Sequence, residues 1–133
     1  MRYMIDLHGV IDSNPVYFKK MTEDLIKSNN IVFICTGLRF QDAWDKLKKL
    51  GFKKDVNFSV ILSISEILEE KLPPSEVEYD VNMNVWVDDT LWWPMKGNLC
   101  KDYSIDVIID DSEEYFVHVP KNVVKLHYHS TKN

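Results

Sequence analysis

The chain has 133 residues, enough for one domain with its own core and too few for an added substrate domain. Its 45% hydrophobic and 28% charged residues are those of an ordinary globular protein. The formal net charge of -5, with no basic run longer than a lysine pair, argues against a broad nucleic-acid-binding face but leaves room for a small basic pocket around one phosphate.

No stretch approaches the roughly 20 apolar residues of a membrane span, and the N-terminus lacks a signal-peptide layout, so a cytoplasmic protein without a membrane partner is expected. Cys35 and Cys100 are too few and too far apart for a disulfide scaffold or a zinc motif.

The first stretch, Tyr3 to Asp12, is an apolar run that ends in Asp6 and then Leu7-His8-Gly9, the pattern of a buried parallel strand entering a sharp turn. Ser13-Asn14-Pro15 opens a helix whose apolar positions Phe18, Met21 and Leu25 fall at helical spacing. Asp12 is expected to cap that turn. Ile31 to Cys35 is a second β-branched run, closed by Thr36-Gly37-Leu38-Arg39, and a helix follows from Phe40 to Leu50.

A third strand is predicted over Phe58 to Leu62, and Ser63 or Ser65 caps a helix through Leu72. Residues 73–94, with three tryptophans among acidic and amide residues, read as a hairpin or long loop with a strand near Val85 to Val87. A short helix is predicted from Lys96 to Tyr103, a buried strand from Ile105 into Asp110-Asp111, a helical turn from Ser112 and a last strand over Asn122 to Tyr128. Strands alternating with helices predict a single α/β domain, a three-layer Rossmannoid fold with a mainly parallel sheet, no large cap and at most a small hairpin cover over 73–94.

Ligands of parallel sheets bind outside the carboxyl ends of the strands, and three strands here end in reactive groups: Asp6 with His8, Thr36 with Gly37, and Asp110 with Asp111. Carboxylates from two strands can hold a hard divalent cation. A further carboxylate can attack phosphorus while a hydroxyl, backbone amides and the ammonium of Lys96 neutralise charge.

These motifs, Asp6-Leu7-His8-Gly9-Val10-Ile11, Ile34-Cys35-Thr36-Gly37, Lys96 at a helix start and Ile108-Ile109-Asp110-Asp111, resemble in order those of the haloacid dehalogenase superfamily, and the tract Lys96 to Asp111 resembles its deoxyribonucleotidase branch. The resemblance implies a Mg2+-dependent phosphomonoester hydrolase acting on a nucleotide or other small phosphorylated substrate. Asp6 would be nucleophile and metal ligand, and the His8 carbonyl, Asp110 and Asp111 the other metal ligands. Thr36, Gly37, Lys96 and Arg39 would hold the substrate. Nucleic acid would enter only as a phosphorylated end, and the resemblance implies no particular oligomeric state.

His8 stands where phosphatases of that superfamily carry a second Asp, the residue that protonates the leaving oxygen. Imidazole, with an ordinary pKa of about 6.5, can exchange protons near neutrality. The alternative is a catalytically weakened protein that binds a phosphorylated ligand or a protein partner.

Other assignments compete. Asp6 has a bland reading as a strand-end helix cap. Asp88-Asp89 imitates the fourth motif, with Lys71 as its basic residue, and Lys101 competes with Lys96. Arg39 is also an ordinary surface residue at a helix start. Trp92 and Trp93 suit the core, a cleft cover or a stack on a nucleobase. His118, His127 and His129 read as surface residues.

Overall fold

The computed structural model describes residues 1–130. Five strands form one wholly parallel sheet: β1 (Arg2–Asp6), β2 (Ile31–Thr36), β3 (Val60–Ser63), β6 (Val107–Asp110) and β7 (Val124–His127), in the order β3-β2-β1-β6-β7. A two-stranded antiparallel hairpin, β4 (Glu78–Tyr79) and β5 (Val85–Trp86), lies outside that sheet.

Near-continuous apolar runs suit a sheet covered on both faces, and alternate residues divide between two cores. Met4, Phe33, Cys35, Leu62 and Ile108 face α3 (Ile64–Lys71) and α5 (Met95–Asp102). Ile5, Val32, Ile34, Ile61, Val107 and Ile109 face α1 (Pro15–Lys27) and α2 (Phe40–Lys49). The result is the expected three-layer Rossmannoid α/β fold without a large cap. No helix among the described residues is long and apolar enough to cross a membrane.

Local sequence explains most boundaries. Asn14, not Asp12, caps α1, accepting from the Tyr17 N–H at 3.3 Å, with Pro15 in the first turn. Ser63 caps α3, but the capping box is not reciprocal, because the Glu66 carboxylate accepts from the N–H of Phe40 at the start of α2. The third strand begins later than expected, at Val60. Phe58 is buried, yet its backbone stands outside the sheet, bridged only to Lys54 across a turn, and its carbonyl accepts from the Asp55 N–H. The last strand is likewise shorter, Val124–His127.

Residues 73–94 form a single 3-10 turn (Pro74–Glu76), the hairpin, and a helical turn α4 (Asp89–Trp92). The expected strand near Val85 to Val87 is limited to Val85–Trp86. A last helical turn, α6 (Glu113–Phe116), follows β6. His118 lies beyond it, beside α5, its carbonyl close to Gly97.

Candidate active site

Sheet order reverses beside β1, and the register brings the strand ends level: Ile5 is opposite Ile34 on one side and Ile109 on the other. Asp6, Thr36 and Asp110, each the last residue of its strand, therefore meet at one rim. Open parallel sheets bind ligands at such a reversal.

After Asp6 the chain makes a wide turn over Leu7–Ile11, closed by the Asp12 N–H to the Leu7 carbonyl at 3.1 Å. Gly9 has a φ of +83°, and a Cβ there would run into the Asp111 carboxylate, so glycine is needed on both counts. Asp12 faces backward into this turn. Its carboxylate accepts from the Gly9 N–H at 2.7 Å, pairs with Lys46 at 2.7 Å and lies 3.2 Å from His8 Nδ1. That replaces the expected helix cap.

Lys96 is the centre of the site. It is 2% exposed, lies 3.2 Å from Asp6 Oδ1, pairs more closely with Asp110, and sits 4.1 Å from the centre of the Tyr115 ring. Burial works against its charge, but Asp6 and Asp110 outweigh that and raise its pKa, so it remains an ammonium.

The carboxylates differ. Burial pushes Asp6 up to about 7; Lys96 opposes this, while the Asp110 charge and a hydrogen bond with Asp111 add to it. Asp110 is also raised by burial, against Lys96. Both its oxygens are engaged, one by Lys96 and the other by the Ser112 N–H at 3.0 Å. Asp111 stands nearer solvent, with Ser112 Oγ at 3.5 Å. Oxygens of Asp6, Asp110 and Asp111 lie within 4.8 Å of one another. Carboxylates brought this near one another favour a shared proton or a bound cation.

Thr36 is buried, and its Oγ1 accepts from the Leu38 N–H at 3.2 Å. Gly37 lines the same cavity, and its carbonyl accepts from Ser65 Oγ. This cavity has a volume of about 530 Å³, and the buried Asp6, Thr36 and Lys96 line it together with the more exposed Asp111. His8 lines it as well, with a side chain 84% exposed and turned to Asp12.

Arg39 lies apart from the residues above. It does not line the cavity; its guanidinium is held by both oxygens of Glu69 (2.7 and 3.1 Å) and by the Met83 carbonyl (2.7 Å), with the Tyr79 ring beside it. The competing motif does not assemble. Asp88 is exposed and caps α4 through Thr90, Lys71 is exposed, and among the described residues the only clustered acidic set is Asp6, Asp110 and Asp111. Lys101 is exposed and Cys35 and Cys100 are free, buried thiols, pushed up by burial to about 12 and about 11.

Sequence reasoning missed Tyr115 and Ser112, which reach the site from the turn after β6, and Trp86, to which it gave no role. Only the pairing of β6 beside β1 brings Tyr115 over Lys96, and no local pattern announces it. His127 proves less superficial than expected: its ring bridges the Asp111 carbonyl and Glu113, each at 3.1 Å, and lies 4.0 Å from His129 between centroids.

No protein-family model, curated protein or solved structure matches the chain.

Proposed function

We propose that the protein is a Mg2+-dependent phosphomonoester hydrolase with Asp6 as its nucleophile. The observation that carries the reading is the placing of Asp6, flanked by the Lys96 ammonium on one side and the Asp111 carboxylate on the other, at the floor of an open cavity. A lone cation among three carboxylates leaves the site short of positive charge, which fits a hard divalent ion on oxygen ligands.

Asp6 and Asp111, whose shared hydrogen bond a cation would replace, would hold such an ion, and Asp110 holds Lys96 in place. When bound, Mg2+ supplies charge neutralisation at the phosphoryl oxygens. Asp6 attacks phosphorus, the bond from phosphorus to the ester oxygen breaks, and an aspartyl-phosphate forms. Lys96, the Thr36 hydroxyl and the backbone at Gly37 hold the phosphoryl oxygens. The departing oxygen takes a proton from His8 or from water at the cavity mouth. A water molecule then attacks the aspartyl-phosphate, freeing inorganic phosphate and restoring Asp6.

A second reading, binding of a phosphorylated ligand without turnover, is favoured by one observation: the His8 ring is turned outward to Asp12. Phosphate release from an aryl phosphate and from nucleotides, with Mg2+ and with EDTA, separates the two. Hydrolysis predicts metal-dependent turnover that Asp6→Asn abolishes. A silent wild type whose His8→Asp variant turns over would establish the binding reading instead.

A further inference from the structure

The hairpin leaves apolar side chains in solvent. Val81 is 97% exposed and Trp86 66%, and Met83 between them is exposed as well. Single exposed apolar residues are ordinary, but a cluster of them marks a contact surface. Met83 holds a φ of +63°, in the left-handed region that suits Asn or Gly, so a long apolar side chain stands at this turn against backbone preference. In the β4–β5 register Glu78 is opposite Trp86, which puts a carboxylate beside that indole on one face.

Charge decides what such a surface accepts. Residues 73–94 carry Glu76, Glu78, Asp80, Asp88 and Asp89, all exposed, and no Lys, Arg or His. None of these carboxylates forms an ion pair among the described residues, and Arg39 is committed to Glu69. Nucleic acid and anionic lipid are repelled by this face. A basic surface with apolar residues of its own is attracted.

The chain itself carries one. Residues 46–54 hold Lys46, Lys48, Lys49, Lys53 and Lys54 and no acidic residue. Those in the last turn of α2 complement the negative end of that helix, but Lys53 and Lys54 lie beyond it. Lys46 pairs with Asp12 and Lys54 with Asp55, whereas Lys48, Lys49 and Lys53 are exposed and form no ion pair among the described residues. Val56 and Val60 are exposed just after them in the chain. Within one copy the two groups lie apart: α2 starts beside Arg39, which grips the hairpin, and its ten residues carry the lysines about 15 Å away. Between them α2 shows Phe40, exposed and stacked on Trp44.

We infer that the protein forms a two-fold dimer in which α2 runs antiparallel to α2 of a second copy, with the acidic, apolar hairpin of each copy seated on the lysines of the other. Opposite charges at the two ends of one helix are self-complementary under a two-fold axis, and such a contact closes at two copies. The inference is independent of the chemistry at the strand ends.

Sedimentation equilibrium tests it on wild type, Glu76→Lys/Glu78→Lys, Lys49→Glu/Lys53→Glu and an equal mixture of the two variants. All four positions are exposed and bear on neither core, and urea midpoints equal to that of wild type verify their folding. Wild type is expected to show twice the monomer mass in about 0.1 M NaCl, where charges act over about 10 Å, and to move toward monomer in about 1 M, where they act over about 3 Å. Each variant alone is expected to be monomeric, because like charges then face each other. The mixture is expected to regain the dimer mass, since each reversed surface meets its opposite. Met83→Asn suits the left-handed turn, yet it should raise the dissociation constant about 5-fold or more by removing an apolar contact.

Wild type that stays monomeric in low salt at every concentration overturns the inference. So does a dimer indifferent to either reversal, and so do folded variants that fail to recover the dimer when mixed.

Discussion

The floor of the cavity and its cover are built in opposite ways. The floor consists of the ends of three parallel strands whose side chains are buried, with Asp110 at 1% and Lys96 at 2% exposure. The cover over 73–94 has two strands of two residues each, and mostly exposed side chains. It is tied to the body by Arg39, Glu69 and Tyr79, and by the Val85 N–H, which donates to Ser65 Oγ at 3.2 Å. A strand inside a sheet fixes its end to within the tolerance of ladder hydrogen bonds. A hairpin held by a few side chains opens at far lower cost. The buried acidic and basic groups at the strand ends therefore sit where position is enforced, and the exposed side chains of the hairpin sit where it is adjustable.

The largest effect is expected from Lys96→Met. It leaves Asp6 and Asp110 buried without their cation, a loss of about 3 to 5 kcal/mol, readable in urea denaturation. Gly97→Ala comes next. On the helix that carries Lys96, a Cβ would fall on the His118 carbonyl, and the enforced shift should cost about 2 kcal/mol.

The two regions also respond to pH with opposite sign. Asp6 is raised from 3.8 to about 7, so between those values the folded protein binds more protons than the unfolded chain, and the metal-free protein loses stability as pH rises through that window. The slope is expected to approach about 1 kcal/mol per pH unit, to flatten in Asp6→Asn, and to flatten on adding Mg2+, which favours the carboxylate. Glu69 is lowered to about 2, by hydrogen bonds from Arg39 and then Tyr79, so its contribution is present above its ordinary 4.5 and fades only in acid. Melting curves of wild type and Asp6→Asn from pH 4 to 8, with EDTA and with Mg2+, check the first claim.

The smallest effect on global stability, under about 1 kcal/mol, is expected from Arg39→Ala, since the pair with Glu69 is partly exposed. Its signature should be local. Limited proteolysis within 73–94 should quicken several-fold while the urea midpoint barely moves.

Much of the floor was legible because each element carries its own signal. The β-branched run Ile31 to Cys35 ends in Thr36, Pro15 follows a capping Asn14, and Ser63 stands before an amphipathic helix. Arg39 was not legible. A place after Thr36-Gly37-Leu38 suits a ligand contact or an ordinary surface arginine alike, and only the fold shows the side chain turned to Glu69, 30 residues away, and to the hairpin. Asp12 was misassigned for a related reason: it faces back to the Gly9 N–H rather than on to the helix, and its charged partner Lys46 comes from α2, beyond the helix that follows it.

By itself the sequence determined the alternation of strands and helices, the sheet type and the residues that end each strand, since periodicity, capping and turn chemistry act over a few neighbouring positions. The tertiary structure decided what those residues meet. Lys96 between Asp6 and Asp110, Tyr115 over Lys96, and Trp92 over Gly37 all depend on strand order and crossover packing. Such contacts join residues tens of positions apart, and their energy comes from burial that exists only once the layers have closed.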